Sequence, residues 1–296
     1  MKDEYPNLEL LDREKALKIA KEYFQETDAL LQDIVNYGTK LLTHAATSCE
    51  EGITNAIIIG VFAKHTIVMA DSIQINLSQG AGLAAHIPLR ALYEAFLYMS
   101  WLLDKDTDLR ARHYHVWNLR QQRRWAARTV KGTPENVAFS SVEEGLSIKS
   151  NKEKWNKLEK EAKRQVAELD VILANSANAT VNAAFESKRN QKHDYDVDWY
   201  VPTGAKSIFG IADILGYEAE YKMFYSTLSG VVHASDSRKH LLFDGARVAM
   251  TSLRSFESFQ TVYSFSISMM LRVYKAIIVR YLPNEHQAFA AKYLAD

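Results

Sequence analysis

Apolar residues at Leu17, Ala20, Phe24, Leu31, Ile34 and Leu41 recur at steps of three, four and seven, which lays one stripe along a helix. The spacing predicts an amphipathic helix over residues 13–47, with Asp12 as the N-cap that accepts from orphan backbone N–H groups. Gly52 breaks the chain and a second helix runs to about residue 78. Gln79-Gly80-Ala81-Gly82 reads as a turn, and Pro88 suits the opening turn of a third helix that reaches residue 103. A fourth helix follows over about 106–130, stopped by Lys131-Gly132-Thr133-Pro134, and a strongly charged fifth over 151–174. Residues 175–198 are polar and patternless, as expected of a mobile loop or lid. Beyond Pro202 the pattern gives a short helix at 207–215, a longer one over 218–234, a loop at 235–245 and a closing helix at 248–281. Pro283 separates that helix from a short terminal one.

Strand signals are nearly absent and no repeat of 20–50 residues is evident. The expected fold is therefore all-α: one domain, residues 1–296, a bundle of about seven or eight helices. Residues 138–198 are expected to form a projecting helical arm and its loop. With only 12 glycines and 5 prolines in 296 residues, about half of average usage, long uninterrupted elements are what composition also favours.

Charge narrows the function classes. The 36 basic and 36 acidic side chains cancel, so no global field steers the chain onto nucleic acid or anionic membrane. Cys49 is the single cysteine, which rules out an intrachain disulfide and a thiolate zinc site and suits a reducing cytosol. The acidic opening stretch does not read as a signal peptide. The most apolar segment, 53–77, carries Lys64, His65 and Asp71 at its middle, and each central charge would cost roughly 2.5–3.5 kcal/mol in a bilayer. A soluble, cytoplasmic protein without a membrane partner is expected. No metal-ligand spacing, P-loop, dinucleotide fingerprint or nucleophile elbow occurs, so no cofactor or metal is expected.

One polar constellation stands out. In Ala-Leu-Tyr-Glu-Ala-Phe-Leu-Tyr-Met-Ser-Trp-Leu-Leu, residues 91–103, Glu94 is the only charge on a helix apolar all round. A buried carboxylate needs a partner, and Arg90 stands four residues earlier on the same face. Lys64 and Asp71, seven apart on the preceding helix, are candidates to join it. Tyr221, Tyr225, Ser229 and His233 step by four along a later helix and drift from the core face to its border, where a pocket wall would lie. The alternatives at this point are a structural buried ion pair and a reactive site. A second cluster, Arg112, Arg120, Arg123 and Arg124 with Trp117 and Trp125 interleaved, reads either as a nucleic-acid groove or as an acid-paired helix face.

The ordered pair Arg90-Ala-Leu-Tyr-Glu94 and Tyr225-x-x-x-Ser229-x-x-x-His233, with Trp199-Tyr-Val-Pro202 between them, resembles a bacterial family of uncharacterised helical proteins over about 53–235. A looser similarity is to the HEPN superfamily of helical ribonucleases and defence toxins, whose signature is an Arg four to six residues before a His. Arg110-Ala-Arg-His-Tyr-His115 fits that spacing, and Arg280 to His286 fits it across a proline. The resemblance implies a toxin- or defence-type protein that cleaves RNA without metal, and a homodimer. In that reading His233 is the general base or acid, Arg90 holds phosphate and Glu94 orients Arg90. Tyr225 and Ser229 position substrate, and Arg110 with His115 is the fallback pair. The alternative is a non-catalytic sensor or interaction module whose polar core is structural.

Overall fold

The computed structural model describes residues 10–145, 152–188, 196–232, 241–244 and 247–294. Within them the chain is all-α apart from one short hairpin, with eleven helices: α1 (Arg13–Ser48), α2 (Ile53–Ser78), α3 (Gly82–Asp104), α4 (Thr107–Ala127), α5 (Pro134–Gly145), α6 (Lys152–Ala174), α7 (Ser176–Lys188), α8 (Ile208–Ile214), α9 (218–232), α10 (Phe259–Tyr281) and α11 (His286–Tyr293). They group into two compact units, Met1–Lys105 with Ile208–Asp296, and Asp106–Ser207.

The first unit is built on the long helices α1, α2, α3 and α10, with α9 laid against α3. The predicted stripe of α1 is the face that meets this core: Leu31, Ile34 and Leu41 are buried, and Asp12 accepts from the Lys15 N–H at 2.8 Å as the N-cap. Ile58 and Ile73 from α2, Leu92 and Leu97 from α3, and Met269, Met270 and Ile278 from α10 complete it. The phenol of Tyr274 closes on Gly38 of α1, where any Cβ would strike it, and its hydroxyl donates to the Ile34 carbonyl at 2.9 Å. Helices α2 and α10 are long and apolar enough to cross a membrane by length and composition alone. Both contribute to this core, and Lys64, His65 and Asp71 lie exposed on α2.

Three local expectations are corrected. Helix α3 begins at Gly82, so Pro88 sits inside it rather than in its opening turn. Gly82 can start the helix there because it approaches the Ser255 carbonyl and the Phe259 ring so closely that a Cβ would meet both at under 3.0 Å. The closing helix begins at Phe259, eleven residues later than its apolar content suggested. Part of the difference is a hairpin, β1 (Leu241–Asp244) paired antiparallel with β2 (Arg247–Met250), Phe243 facing Val248. Four-residue apolar runs do not distinguish strand from helix by period, which is why it went unread.

The second unit packs α4 against α6 and α7. The expected loop at 175–198 is the third correction: residues 176–188 form α7, whose Val181 and Phe185 are buried. Asn175 starts that helix, its side-chain oxygen accepting from the Ala177 N–H at 3.0 Å. Trp199 and Tyr200 are buried, with the Trp199 ring edge-on to Tyr114 of α4 at 5.5 Å. In this unit, then, the aromatic-proline stretch is packing.

Candidate functional site

Helix α3 brings Arg90 and Glu94 onto one face because they are four residues apart, and Arg90 Nε donates to Glu94 Oε1 at 3.0 Å. Helix α9 crosses α3 and adds hydroxyls more than 130 residues away in sequence. Arg90 Nη2 donates to the Tyr225 hydroxyl at 2.9 Å and Nη1 to the Ser229 hydroxyl at 3.3 Å. Tyr225 in turn donates to Glu94 Oε1 at 2.9 Å, closing a ring of three groups around one carboxylate oxygen. The structure thus brings together four of the five expected site residues. His233 lies outside the described residues.

The tyrosines reach the cluster because α9 contains a π-helical turn, Tyr221–Tyr225. Such turns shift the side-chain register and are frequent at functional sites. Tyr221 stacks on Tyr225 with ring centres 4.5 Å apart, and the Arg90 guanidinium lies 4.8 Å from the Tyr225 ring centre. The N-terminal end of α9 is tied down separately. Arg272 of α10 grips Glu220 with two hydrogen bonds, 2.8 and 3.1 Å, and packs over Phe96. No spacing in the sequence links Arg272 to Glu220, so this pair could not have been read from it.

Electrostatics fix the proton positions. Burial works against the charge of Arg90, but hydrogen bonds and attraction from Tyr225 and Glu94 outweigh it and hold the guanidinium above its ordinary value. Burial, followed by the charge and hydrogen bond of Glu94, pushes Tyr225 up to about 12. The phenol therefore stays protonated near neutrality and acts as a donor to Glu94. The neighbouring Tyr93 is fully buried and pushed up chiefly by burial, and its hydroxyl finds no partner among the described residues.

The burial expected of Glu94 is only partial. Its side chain is 27% exposed and that of Arg90 17%, so the pair lies at the wetted border of the core. Lys64 and Asp71 do not join it, because both point to solvent from α2.

In the second unit, Arg120 is gripped by Asp196 through two hydrogen bonds, 2.6 and 3.0 Å, and pairs with Glu186 at 2.7 Å. Arg120 is 8% exposed and Asp196 1%. Arg123 is engaged by Asp170, and Arg112 reaches Asn178 at 3.5 Å. Arg120, Arg123 and Arg124 line a cleft of about 300 Å³ together with Glu135, Asp170, Glu186 and Asp196, so its charge is mixed. The acid-paired alternative is thus what Arg120 and Arg123 adopt, and Trp125 packs under Arg128 at 3.9 Å. Their acids on 170–196 were missed because nothing in that polar stretch singles out a residue.

Of the fallback pair, Arg110 is buried, while His115 is half-buried and driven down by burial and then by Arg112. His113 between them is buried, its Nδ1–H donating to the Leu109 carbonyl at 2.8 Å, and burial lowers its pKa. Arg280 ends on α10 and His286 starts α11 beyond a 3₁₀ turn, so those two do not share a helix. Among the described residues no group of three or more His, Cys, Asp or Glu is placed to hold a metal ion.

A sequence model of a family described as "Family of unknown function (DUF5677)" matches residues 55–245, a span that contains Arg90, Glu94, Tyr225, Ser229 and His233. No curated protein and no solved structure matches the chain.

Proposed function

The chain belongs to the family of unknown function DUF5677, so its chemistry has to be read from the site, and we propose that it is a cytosolic endoribonuclease of toxin or phage-defence type that works without a metal. The observation that carries this reading is the way Arg90 is held. Glu94 fixes its Nε edge, while its two terminal nitrogens meet the hydroxyls of Ser229 and Tyr225. A phosphate is a far stronger acceptor than a neutral hydroxyl, so it can displace them and take the fork of the guanidinium in two hydrogen bonds.

RNA supplies its own nucleophile. The 2′-OH attacks the adjacent phosphorus, its proton passes to a base, and the 5′ oxygen leaves with a proton from an acid. The products are a 2′,3′-cyclic phosphate and a 5′-OH end. His233, four residues beyond Ser229, is assigned the base or acid role, since an imidazole titrates near the working pH. Arg90 would balance charge on the phosphorane, and Tyr225, kept protonated, would donate to a phosphate oxygen.

The test is purified protein on single-stranded RNA in the presence of a chelator, read for cyclic-phosphate ends, together with RNA integrity and growth of a host expressing it. Cleavage is expected for the wild type, with loss in His233→Ala and Arg90→Ala at equal soluble yield. Arg90→Lys should not rescue, because a point charge cannot make the two-pronged contact. Intact RNA with the wild type in both assays would overturn the proposal.

A second reading, an interaction module with a structural polar core, is favoured by one feature. The hydrogen bonds described for Arg90 are all spent inside the protein, as at Arg120. It requires that Arg90→Ala lower stability without changing any RNA.

A further inference from the structure

Helices α8 and α9 both pack on α3, the helix that carries Arg90, and one aromatic ring from each meets the other. The buried residues of α8 are Ile211 and Ala212. Phe209 is not part of that inner face. It is 37% exposed, and its ring lies 5.3 Å from that of Tyr221 with the two planes 64° apart. Tyr221 is half-buried and stacks on Tyr225, while Tyr225 lies under the Arg90 guanidinium and accepts from it through its hydroxyl. The π-helical turn of α9 spans the same two tyrosines, an irregularity that is frequent at functional sites. Phe209, Tyr221 and Tyr225 thus lead stepwise from solvent to Arg90. A phenyl left more than a third in water at the outer end of such a row forgoes burial that a flat partner would restore.

We propose that Phe209 and Tyr221 form the nucleobase subsite of the Arg90 site: they stack the base of the nucleotide whose phosphate Arg90 holds, so the strand it takes is single-stranded RNA. The inference rests on Arg90 as the phosphate-holding group of the ribonuclease proposed above, and adds recognition of the base. From Arg90 to Tyr221 is two ring contacts, the scale of one nucleotide. Because α8 and α9 are both seated on α3, the rings and the guanidinium are held by one helix. In a duplex each base is paired and its faces are covered by its neighbours. An unpaired strand can splay a base onto protein rings. Such stacking accepts every base, since each has a π-face, and favours the larger purines modestly. The subsite therefore selects strongly for an unpaired strand and weakly for sequence.

The test is fluorescence anisotropy of a labelled 2′-O-methyl oligoadenylate, which has no free 2′-OH and so binds without being cut. An abasic strand and a duplex of the same length are titrated beside it, with the full chain as wild type, Phe209→Leu, Phe209→Trp and Arg90→Ala. Leucine keeps bulk and removes the π-face, and a melting curve equal to wild type confirms that the variant folds. Wild type should bind the base-bearing strand about tenfold more tightly than the abasic strand or the duplex. Phe209→Leu should erase most of that preference while leaving the abasic strand's affinity unchanged, a split that altered packing of α8 alone would not produce. Phe209→Trp should keep the preference, and Arg90→Ala should weaken both single strands. Four results would overturn the proposal. One is a wild type that binds the abasic strand or the duplex as tightly as the base-bearing strand. Another is a full preference retained in Phe209→Leu. The third is binding indifferent to Arg90→Ala, which removes the phosphate-holding premise. The fourth is adenosine monophosphate binding as tightly as the strand, which would make the ligand a free nucleotide. Failure of the ribonuclease reading alone has a different signature. The base-dependent binding would be present and lost in Phe209→Leu, supporting the subsite, while the wild type left unmodified RNA intact.

Discussion

Arg90 and Arg120 each sit at the centre of a hydrogen-bonded cluster, one in each unit of the molecule, and the two clusters are built from different partners. Arg120 is shut away at 8% exposure, clamped by a carboxylate at 1% and joined by a second. Two ions removed from water at that depth require each other, since a lone buried charge costs several kcal/mol. Arg90 lies at 17% exposure against a carboxylate at 27%, and its terminal nitrogens rest on a serine and a tyrosine. Hydroxyls can be exchanged for water or for an anion at little cost, whereas a buried carboxylate cannot. Depth and partner chemistry together mark Arg120 as a clamp and Arg90 as a group that can change partners.

The largest effect expected from this contrast is on stability. Arg120→Ala, or Asp196→Ala, strands the opposite charge in the interior and should cost about 3–5 kcal/mol in a denaturant titration. Arg90→Ala leaves behind two hydroxyls and a carboxylate that water can reach, and should cost about 1 kcal/mol. Equal losses at the two sites would break the distinction and turn Arg90 into a second structural clamp.

Titration should separate the units next. Burial lowers the pKa of His113 in the second unit, so the folded state favours its neutral form. A group depressed on folding stabilises above its unfolded value and loses that contribution as pH falls. The second unit should therefore weaken as pH drops below about 6.5, the ordinary imidazole value. Tyr225 has the opposite dependence. Its folded pKa, about 12, lies above the unfolded value, so its contribution is complete below about 10 and lost as pH rises towards 12. Circular dichroism melts at acid and alkaline pH check both, with His113→Asn reducing an acid limb that His115 shares and Tyr225→Phe reducing an alkaline limb that Tyr93 shares. A wild-type acid limb that His113→Asn leaves unchanged would show that His113 does not cause it.

Much of this was legible beforehand, and the reason is local. Arg90 and Glu94 are four apart on an otherwise apolar helix, and Tyr225 and Ser229 are four apart on another, so helical periodicity alone aligned each pair. That α9 crosses α3 where the pairs meet is a tertiary fact, and the sequence showed it only as a coincidence of unusual polar positions. The Arg120 clamp was opaque for the opposite reason. Arg120 could be flagged as one of a basic row, but Asp196 is one acid among many in a polar stretch, and α7 beside it has weak amphipathicity. The hairpin was hidden because its four-residue strands are shorter than the window over which a period can be judged. Partial exposure of Glu94 was likewise beyond reach, because an apolar helix face says which side is inside but not where the core ends.

The smallest expected effect probes the ring of hydrogen bonds itself. Glu94→Gln keeps an oxygen that can accept from both Arg90 and Tyr225 while removing the charge. Stability should change by about 0.5 kcal/mol or less, since the pair is partly solvated. The proton on Tyr225 should respond more clearly. Burial is the first cause of its raised pKa and would remain, but the repulsion from Glu94 and the hydrogen bond to its carboxylate come next and would weaken. Difference absorbance of tyrosinate between wild type and variant should show one phenol titrating at lower pH in Glu94→Gln, and that difference should vanish in a Tyr225→Phe background. A Tyr225 titration indifferent to the charge at Glu94 would mean that the two groups are merely neighbours. Glu94 would then not be the group that holds Tyr225 protonated for an incoming phosphate.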